Sequence, residues 1–431
     1  MLVLTIFGSL VLLMLLGVPI ALSLGLTAIG TMYWMGGPDL LIMFGQRAYF
    51  GTASFPLLAI PFFILAGNLM NTGGVTRRIF DAAQLCVGRI HGGLGHVNVI
   101  ASMIFAGMSG SAVADAAGLG VVEIQAMTKA GYSTRFSAAI TAVSSTIGPI
   151  IPPSIPFVIY GSLMNVSVGD LFLAGIIPGL LMGFALMAVI AFVAKRQNLP
   201  RMAERPTGRQ ALRVFGGALP ALVMPPLIVG GILSGWFTPT EAAVAASIYA
   251  MILGVFFYRE LRLAALMEVL WNSAKQTVQV MFIIAAAAPF GWVLIQQQIP
   301  NAIINAILHI SSTPWVVLLM VNVILLIMGM FIEGIAIMII TFPIFMPLIQ
   351  QIHVDPTHFG VIVVLNLMIG LVTPPVGMCL YAVSAISNVS MGEMFAEMWP
   401  YVLALVAVLL VVTYAPDLVM WLPRTLGFAR M

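Results

Sequence analysis

Residues 146–172 read TIGPIIPPSIPFVIYGSLMNVSVGDLF, and residues 369–395 read IGLVTPPVGMCLYAVSAISNVSMGEMF. Each holds a Pro-Pro pair inside an apolar run, then Asn-Val-Ser, a Gly and an acid. Pro374 follows Pro152 by 222 residues, and Asn388 follows Asn165 by 223. Gly107-Met108 returns as Gly329-Met330 at the same spacing, and Phe172 as Phe395. Segments interrupted by proline at matching places in two halves point to the binding site of a membrane carrier. Chance recurrence in an apolar chain is the rival explanation, and one offset shared by several motifs argues against it.

With 61% hydrophobic and 7% charged residues, the 431-residue chain is no ordinary soluble protein, since globular domains average roughly 25% charged residues. Apolar stretches near 20 residues, without strict alternation, predict a polytopic helical membrane protein. The start, MLVLTIFGSLVLLMLL, lacks a basic leader and a small-residue cleavage site and is expected to stay as a first span. Cys86 and Cys379, the two cysteines, give neither a disulfide framework nor a metal spacing. The net charge of +3 comes from where the basic residues cluster and implies no nucleic-acid partner.

Hydropathy places spans near 1–16, 19–35, 55–72, 136–162, 172–194, 214–234, 238–257, 277–297, 358–388 and 399–421. Two more segments, about 93–129 and 314–350, read as re-entrant hairpins. With the loop around Lys195–Arg213 inside, 14 Lys/Arg face the cytoplasm, from Arg77 to Lys275 and including Arg205. Arg47, Arg424 and Arg430 fall outside, a positive-inside bias that sets both termini outside. Residues 197–213 form the polar cytoplasmic linker between a first repeat (1–196) and a second (214–431). Five crossings per half put the second copy into the membrane upside down. The expected fold class is therefore an all-α polytopic membrane protein with two inverted-topology repeats, the architecture of alternating access.

Between Arg135 and Asp170 lie 34 uncharged residues, and between His358 and Glu393 another 34. A straight helix of that length would be about 51 Å long, against a bilayer core of about 30 Å. Pro152-Pro153 and Pro374-Pro375 sit near the middle of each run. Proline removes an amide donor and clashes with the preceding turn, so two half-helices with an extended break are expected over 136–162 and 358–388. Freed carbonyls and helix ends can bind a cation, and helix N-termini an anion; a simple kink is the plainer alternative.

The segment 95–129 is apolar on both flanks around GMSGSAVAD, with basic residues beside both ends. A hairpin with its tip near Gly110 at mid-membrane fits, and its counterpart carries Glu333 and Gly334 near the tip. Ser109 and Ser111 offer hydroxyl oxygens for a hard cation or a carboxylate. Asp115 follows Ser111 by four residues and shares its helix face, and a carboxylate at that depth is usually functional. Pairing with a buried base is the alternative, but the hairpin core holds no Lys or Arg. Glu241, in Thr238-Pro-Thr-Glu, reads as a helix cap. The five histidines show no ligand spacing, the 29 methionines read as apolar filler, and no phosphate loop is present. No nucleophile–base constellation appears either, so the chain does not read as an enzyme or as ATP-driven.

GMSGSAVADAAGLG (107–120), GPIIPPSIPFVIYG (148–161), GWFTPTEAAVAA (235–246), GMFIEGIA (329–336) and LVTPPVGMCLY (371–381) together resemble the large membrane (M) subunit of tripartite ATP-independent periplasmic (TRAP) transporters. The resemblance runs almost end to end. It implies sodium-coupled uptake, with Na+ as the coupling ion and no organic cofactor, of an organic acid delivered by a periplasmic substrate-binding (P) protein. It also implies an elevator-type motion, a small membrane (Q) subunit as partner, and a place in the bacterial inner membrane. By resemblance, Ser109, Gly148, Gly329, Gly370 and Thr373 surround sodium, and Ser111, Asp115 and Ser154 face the substrate. C4-dicarboxylates, sialic acids, sugar acids, keto acids and sulfonates all stay open. A stand-alone ion-coupled anion carrier without a binding protein is the nearest rival. A channel or a respiratory membrane subunit is more distant, because Lys275 is the one deep lysine candidate and is expected at the interface.

Overall fold

The structure is a computed structural model that describes residues 2–201 and 207–426. Arg205 and Arg430, both used in the charge count above, lie outside the described residues. Every regular element among the described residues is a helix. Seven helical stretches, some joining two consecutive helices, are long and apolar enough to cross a membrane: Phe55–Thr72, Val168–Arg196, Gly208–Leu233, Pro239–Phe257, Leu263–Gln296, Gly334–Gln351 and Met391–Tyr414. The other apolar helices are shorter, and most belong to interrupted elements.

Both proline-bearing runs are interrupted. Thr134–Ser144, with a 3-10 turn at Ser145–Ile147, stops before Pro149, and the chain resumes as Ile155–Met164. Pro356–Gly370 stops likewise and resumes as Met378–Ser387. Prolines 149, 152, 153, 374 and 375 cannot donate to a helical ladder, and Pro152–Pro153 and Pro374–Pro375 are cis. The two hairpins are also formed. Gly93–Ser109 turns at Gly110 into Ala112–Lys129, and Pro314–Gly329 turns into Gly334–Gln351.

The repeated Asn-Val-Ser is a corner. Asn165 and Asn388 end their helices in the left-handed conformation (φ 53° and 55°), which asparagine tolerates better than most residues. Ser167 and Ser390 then cap the following helices, accepting from the amides of Asp170 (3.2 Å) and Glu393 (3.3 Å). The acid at the third helical position of each motif lies at the positive end of its helix.

The order of hairpin, broken helix and long helix thus occurs twice, ending in Val168–Arg196 and Met391–Tyr414, which pack on each other. Contacts between halves come in exchanged pairs. Met378–Ser387 packs on the arm Ala112–Lys129, and Ile155–Met164 packs on the arm Gly334–Gln351. Ile20–Gly36 packs on Leu263–Gln296, and Ala59–Thr72 on Pro239–Ile252.

Several boundaries differ from the hydropathy reading. Pro38–Thr52, Val75–Val87 and Ile299–Ile310 are helices where no span is expected. The latter two are amphipathic, burying Ile79, Phe80 and Ala83 in one case and Ile299, Ile304 and Ile307 in the other, and polar faces lower a window average. The 277–297 span starts at Leu263, because Glu268, Lys275 and Gln276 are good helix formers that hydropathy discounts. Lys275 therefore lies within this helix, its ammonium 5.2 Å from the Trp271 ring centre. The 214–234 span is two helices, Gly208–Leu222 and Met224–Leu233, and the 399–421 span breaks at Ala415 before Pro416.

Candidate functional site

The two hairpin tips meet at one cavity of about 720 Å³. Ser109, Gly110 and Ser111 line it from the first tip, and Glu333 and Gly334 from the second. Gly67, Asn68, Gln276 and Gln279 line it from Ala59–Thr72 and Leu263–Gln296. Among the described residues the lining contains no Lys, Arg or His, and Glu333 is its one ionisable side chain.

Helix N-termini converge on this space. Ala112, Ile155, Gly334 and Met378 each open a helix, and all four line the cavity. A helix N-terminus carries roughly half a positive charge and unpaired amides. Ser111 caps its helix with a neutral hydroxyl, accepting from the Ala114 amide at 3.4 Å. The Met378–Ser387 helix has no side-chain cap. Glu333 instead offsets the end of its own helix, accepting from the Ala336 amide at 3.1 Å. Asp115, in the first turn, likewise offsets the Ala112 end, so positive potential is left open at the Met378 end and largely compensated at the Gly334 end.

Each tip rests on the break of its own half. Gly110 has φ 64°, and a Cβ there would stand 2.7 Å from the Pro153 carbonyl oxygen, so the close approach and the left-handed turn both select glycine. At the second tip the Val376 amide donates to the Met330 carbonyl at 3.2 Å. Gly329 and Gly370 touch backbone to backbone: a Cβ on Gly370 would lie 2.7 Å from the Cα of Gly329. Thr373 donates its hydroxyl to the Ile369 carbonyl (2.7 Å) and its amide to the Gly370 carbonyl (3.1 Å). Gly329, Gly370 and Thr373 thus form one oxygen-rich cluster behind the second tip.

The corresponding space behind the first tip holds Asp115 and Gly148. Asp115 is 2% exposed, and neither carboxylate oxygen has a hydrogen bond of normal geometry; Ser109 is the hydroxyl nearest to making one. A Cβ on Gly148 would stand 2.3 Å from Asp115 Oδ2. Cys379, from the other half, lies beside Ser145 and within electrostatic reach of Asp115. Asp115 therefore sits with Gly148 rather than on the cavity wall. Ser154 is also closed off, since its buried hydroxyl donates to the Pro149 carbonyl and accepts from the Phe157 amide. The sequence grouped Ser111, Asp115 and Ser154; the structure opens only Ser111 to the cavity.

Glu123 is a buried carboxylate that the sequence reading passes over. It is 1% exposed, two turns beyond Asp115 on the same arm. Its Oε2 accepts from Asn98 (2.8 Å) and Thr141 (3.3 Å). Asn98 also donates to Thr141 (2.7 Å) and accepts from Ser144 (2.6 Å). This network ties both hairpin arms to the first half-helix, and the eight-residue spacing from Asp115 is the signal that could have revealed it. Glu241 forms the expected capping box with Thr238.

These features define an all-helical transporter fold. The solved YdaH transporter of Alcanivorax borkumensis superposes with a TM-score of 0.63 over 88% of both chains at 13% sequence identity, a likeness of fold alone. Residues 7–418 match the tripartite ATP-independent periplasmic transporter family, DctM component, and the chain belongs to that family. It is 41% identical over 427 residues to the sialic acid TRAP transporter large permease SiaM of Vibrio cholerae, covering 99% of each. It is 43% identical to the C4-dicarboxylate large permease DctM of Pseudomonas aeruginosa, over 94% of this chain and 95% of that one. The chain is thus a multi-pass membrane permease component in a family of transport proteins.

Proposed function

We propose that this chain carries an organic acid across the bacterial inner membrane together with sodium, receiving the acid from a periplasmic binding protein and braced by a small membrane subunit. The observation that carries this reading is the cavity between the hairpin tips. An anion is held there by helix N-termini and hydroxyls and not by a fixed base. Relatives named for sialic acid and for C4-dicarboxylates support a carboxylate as the ligand.

Sodium belongs behind the tips. It is a hard ion that takes oxygen ligands, and the Gly329–Gly370–Thr373 cluster offers carbonyls and a hydroxyl. Behind the first tip, Asp115 and Gly148 offer a carboxylate with both oxygens unsatisfied and the carbonyls of a helix break. A buried carboxylate without a partner is costly, and a cation beside it removes that cost. Asp115 is therefore read as a cation ligand, with Ser109 beside it and Ser111 facing the acid. Sodium behind both tips offsets the charges of Asp115 and of the bound acid, so the loaded carrier crosses more readily than the half-loaded one.

The exchanged packing pairs support two inverted repeats, with the hairpins and broken helices moving together as an elevator against the scaffold. The test is uptake of labelled organic acids into proteoliposomes holding this chain and its small subunit. Uptake that requires both an inward sodium gradient and the purified binding protein is expected. Uptake indifferent to the binding protein would make the chain a stand-alone carrier, and uptake indifferent to sodium would remove the coupling.

A further inference from the structure

The wall facing the hairpin tips is built of neutral amides. The Asn68 amide nitrogen donates to Ser273 Oγ (2.9 Å) and to Gln276 Oε1 (3.0 Å). In either sense of this amide pair, one further donor and one further acceptor stay open toward the cavity. Gln279, one turn further on, lines the cavity with no side-chain hydrogen bond among the described residues, so both its amide atoms are open.

We propose that Asn68, Gln276 and Gln279 read the neutral oxygen groups of the substrate, and that the cavity takes a monocarboxylate bearing several hydroxyl or keto groups rather than a dicarboxylate. This rests on the reading of the cavity as an organic-acid site.

Charge decides between the two classes. One carboxylate is met by the uncapped Met378 helix end and the Ser111 hydroxyl. A second carboxylate at the far wall would meet only amides, with Glu333 as the one charged side chain around it. The closest base in sequence, Lys275, lies over the Trp271 ring and does not line the cavity. A desolvated charge without a counter-charge is strongly disfavoured, whereas hydroxyl and keto oxygens are matched by amide donors and acceptors. The cavity volume, about 720 Å³, also exceeds what a four-carbon diacid fills. It leaves room for a longer chain.

The alternative role for these amides is holding two helices together. It accounts for the Asn68–Gln276 bond but not for the place of Gln279, which is exposed to the cavity and makes no side-chain hydrogen bond among the described residues.

The experiment is equilibrium binding to the purified transporter with its small subunit, in sodium chloride and in choline chloride. Gluconate, glucuronate and glycerate are compared with succinate, malate and fumarate. At least one hydroxylated monocarboxylate is expected to bind ten-fold or more tighter than any diacid. Gln279→Ala should weaken that acid three- to ten-fold with no change in melting temperature. Gln279→Lys should raise diacid binding at least ten-fold. A wild-type preference for diacids, or Gln279 variants without effect on selectivity, would overturn the inference and leave the carrier reading standing. If none of the six acids binds in either salt, the organic-acid reading itself falls, and this inference with it.

Discussion

Asp115 Oδ2 occupies the space beside Gly148 so closely that a Cβ on residue 148 would stand 2.3 Å away. A hairpin arm and a helix break, 33 positions apart in sequence, are thus fitted to each other at one carboxylate. Gly148→Ala should push that carboxylate out of place. The expected result is a rise of ten-fold or more in the sodium concentration for half-maximal uptake, measured by sodium titration at saturating organic acid. An unchanged titration would separate Gly148 from the cation.

Asp115→Asn keeps the shape and removes the charge. Sodium dependence of uptake should fall away in this variant, while organic-acid binding at high sodium weakens less. Asp115→Ala that still shows sodium-driven uptake would take Asp115 out of the mechanism.

Glu123 is expected to hold the first hairpin together. Glu123→Ala leaves the Asn98 and Thr141 donors short of an acceptor in a buried site, a loss of about 1–3 kcal/mol. The melting temperature of the purified protein should drop, and Glu123→Gln, which keeps one acceptor oxygen, should recover most of it. Equal melting of both variants and wild type would mean that the network adds nothing.

Gly110 is constrained twice, by φ 64° and by the Pro153 carbonyl. Gly110→Ala adds about 1–2 kcal/mol of left-handed strain and a contact that the proline-bearing break must yield to. Uptake should fall more than melting temperature does, because the strained tip is itself part of the cavity. A variant with wild-type uptake would show that the tip tolerates a looser seat on the break.

Much of this was legible because proline and glycine act locally. The Pro-Pro pairs break their helices where the residues dictate, and Gly110 marks a turn that few other residues could make. The Asn-Val-Ser repeat was visible but its role was not, since a left-handed asparagine followed by a serine cap is a matter of backbone angles. Asp115 was found by its charge and expected to face the substrate, whereas the structure sets it beside Gly148 behind the cavity wall. Whether a residue four positions from Ser111 faces the cavity or the break depends on how the arm rotates against Gly148, which spacing alone does not fix. Glu123 escaped because its partners, Asn98 and Thr141, come from two other helices. The amides of Gln276 and Gln279 escaped for another reason: Gln276 fell just outside the span begun at residue 277, and Gln279 lay within it as a single polar residue in an apolar stretch.

The central claim is that the organic acid occupies the cavity between the two tips. Ala117 lines that cavity, is exposed, and is bonded to nothing through its methyl group. The direct measurement is the labelling rate of Ala117→Cys by a charged maleimide, in a Cys86→Ser background, with and without organic acid in sodium. The account predicts labelling slowed several-fold by acid plus sodium, and by neither nearly as much alone. Labelling unaffected by the two together, in protein that still transports, would place the substrate elsewhere.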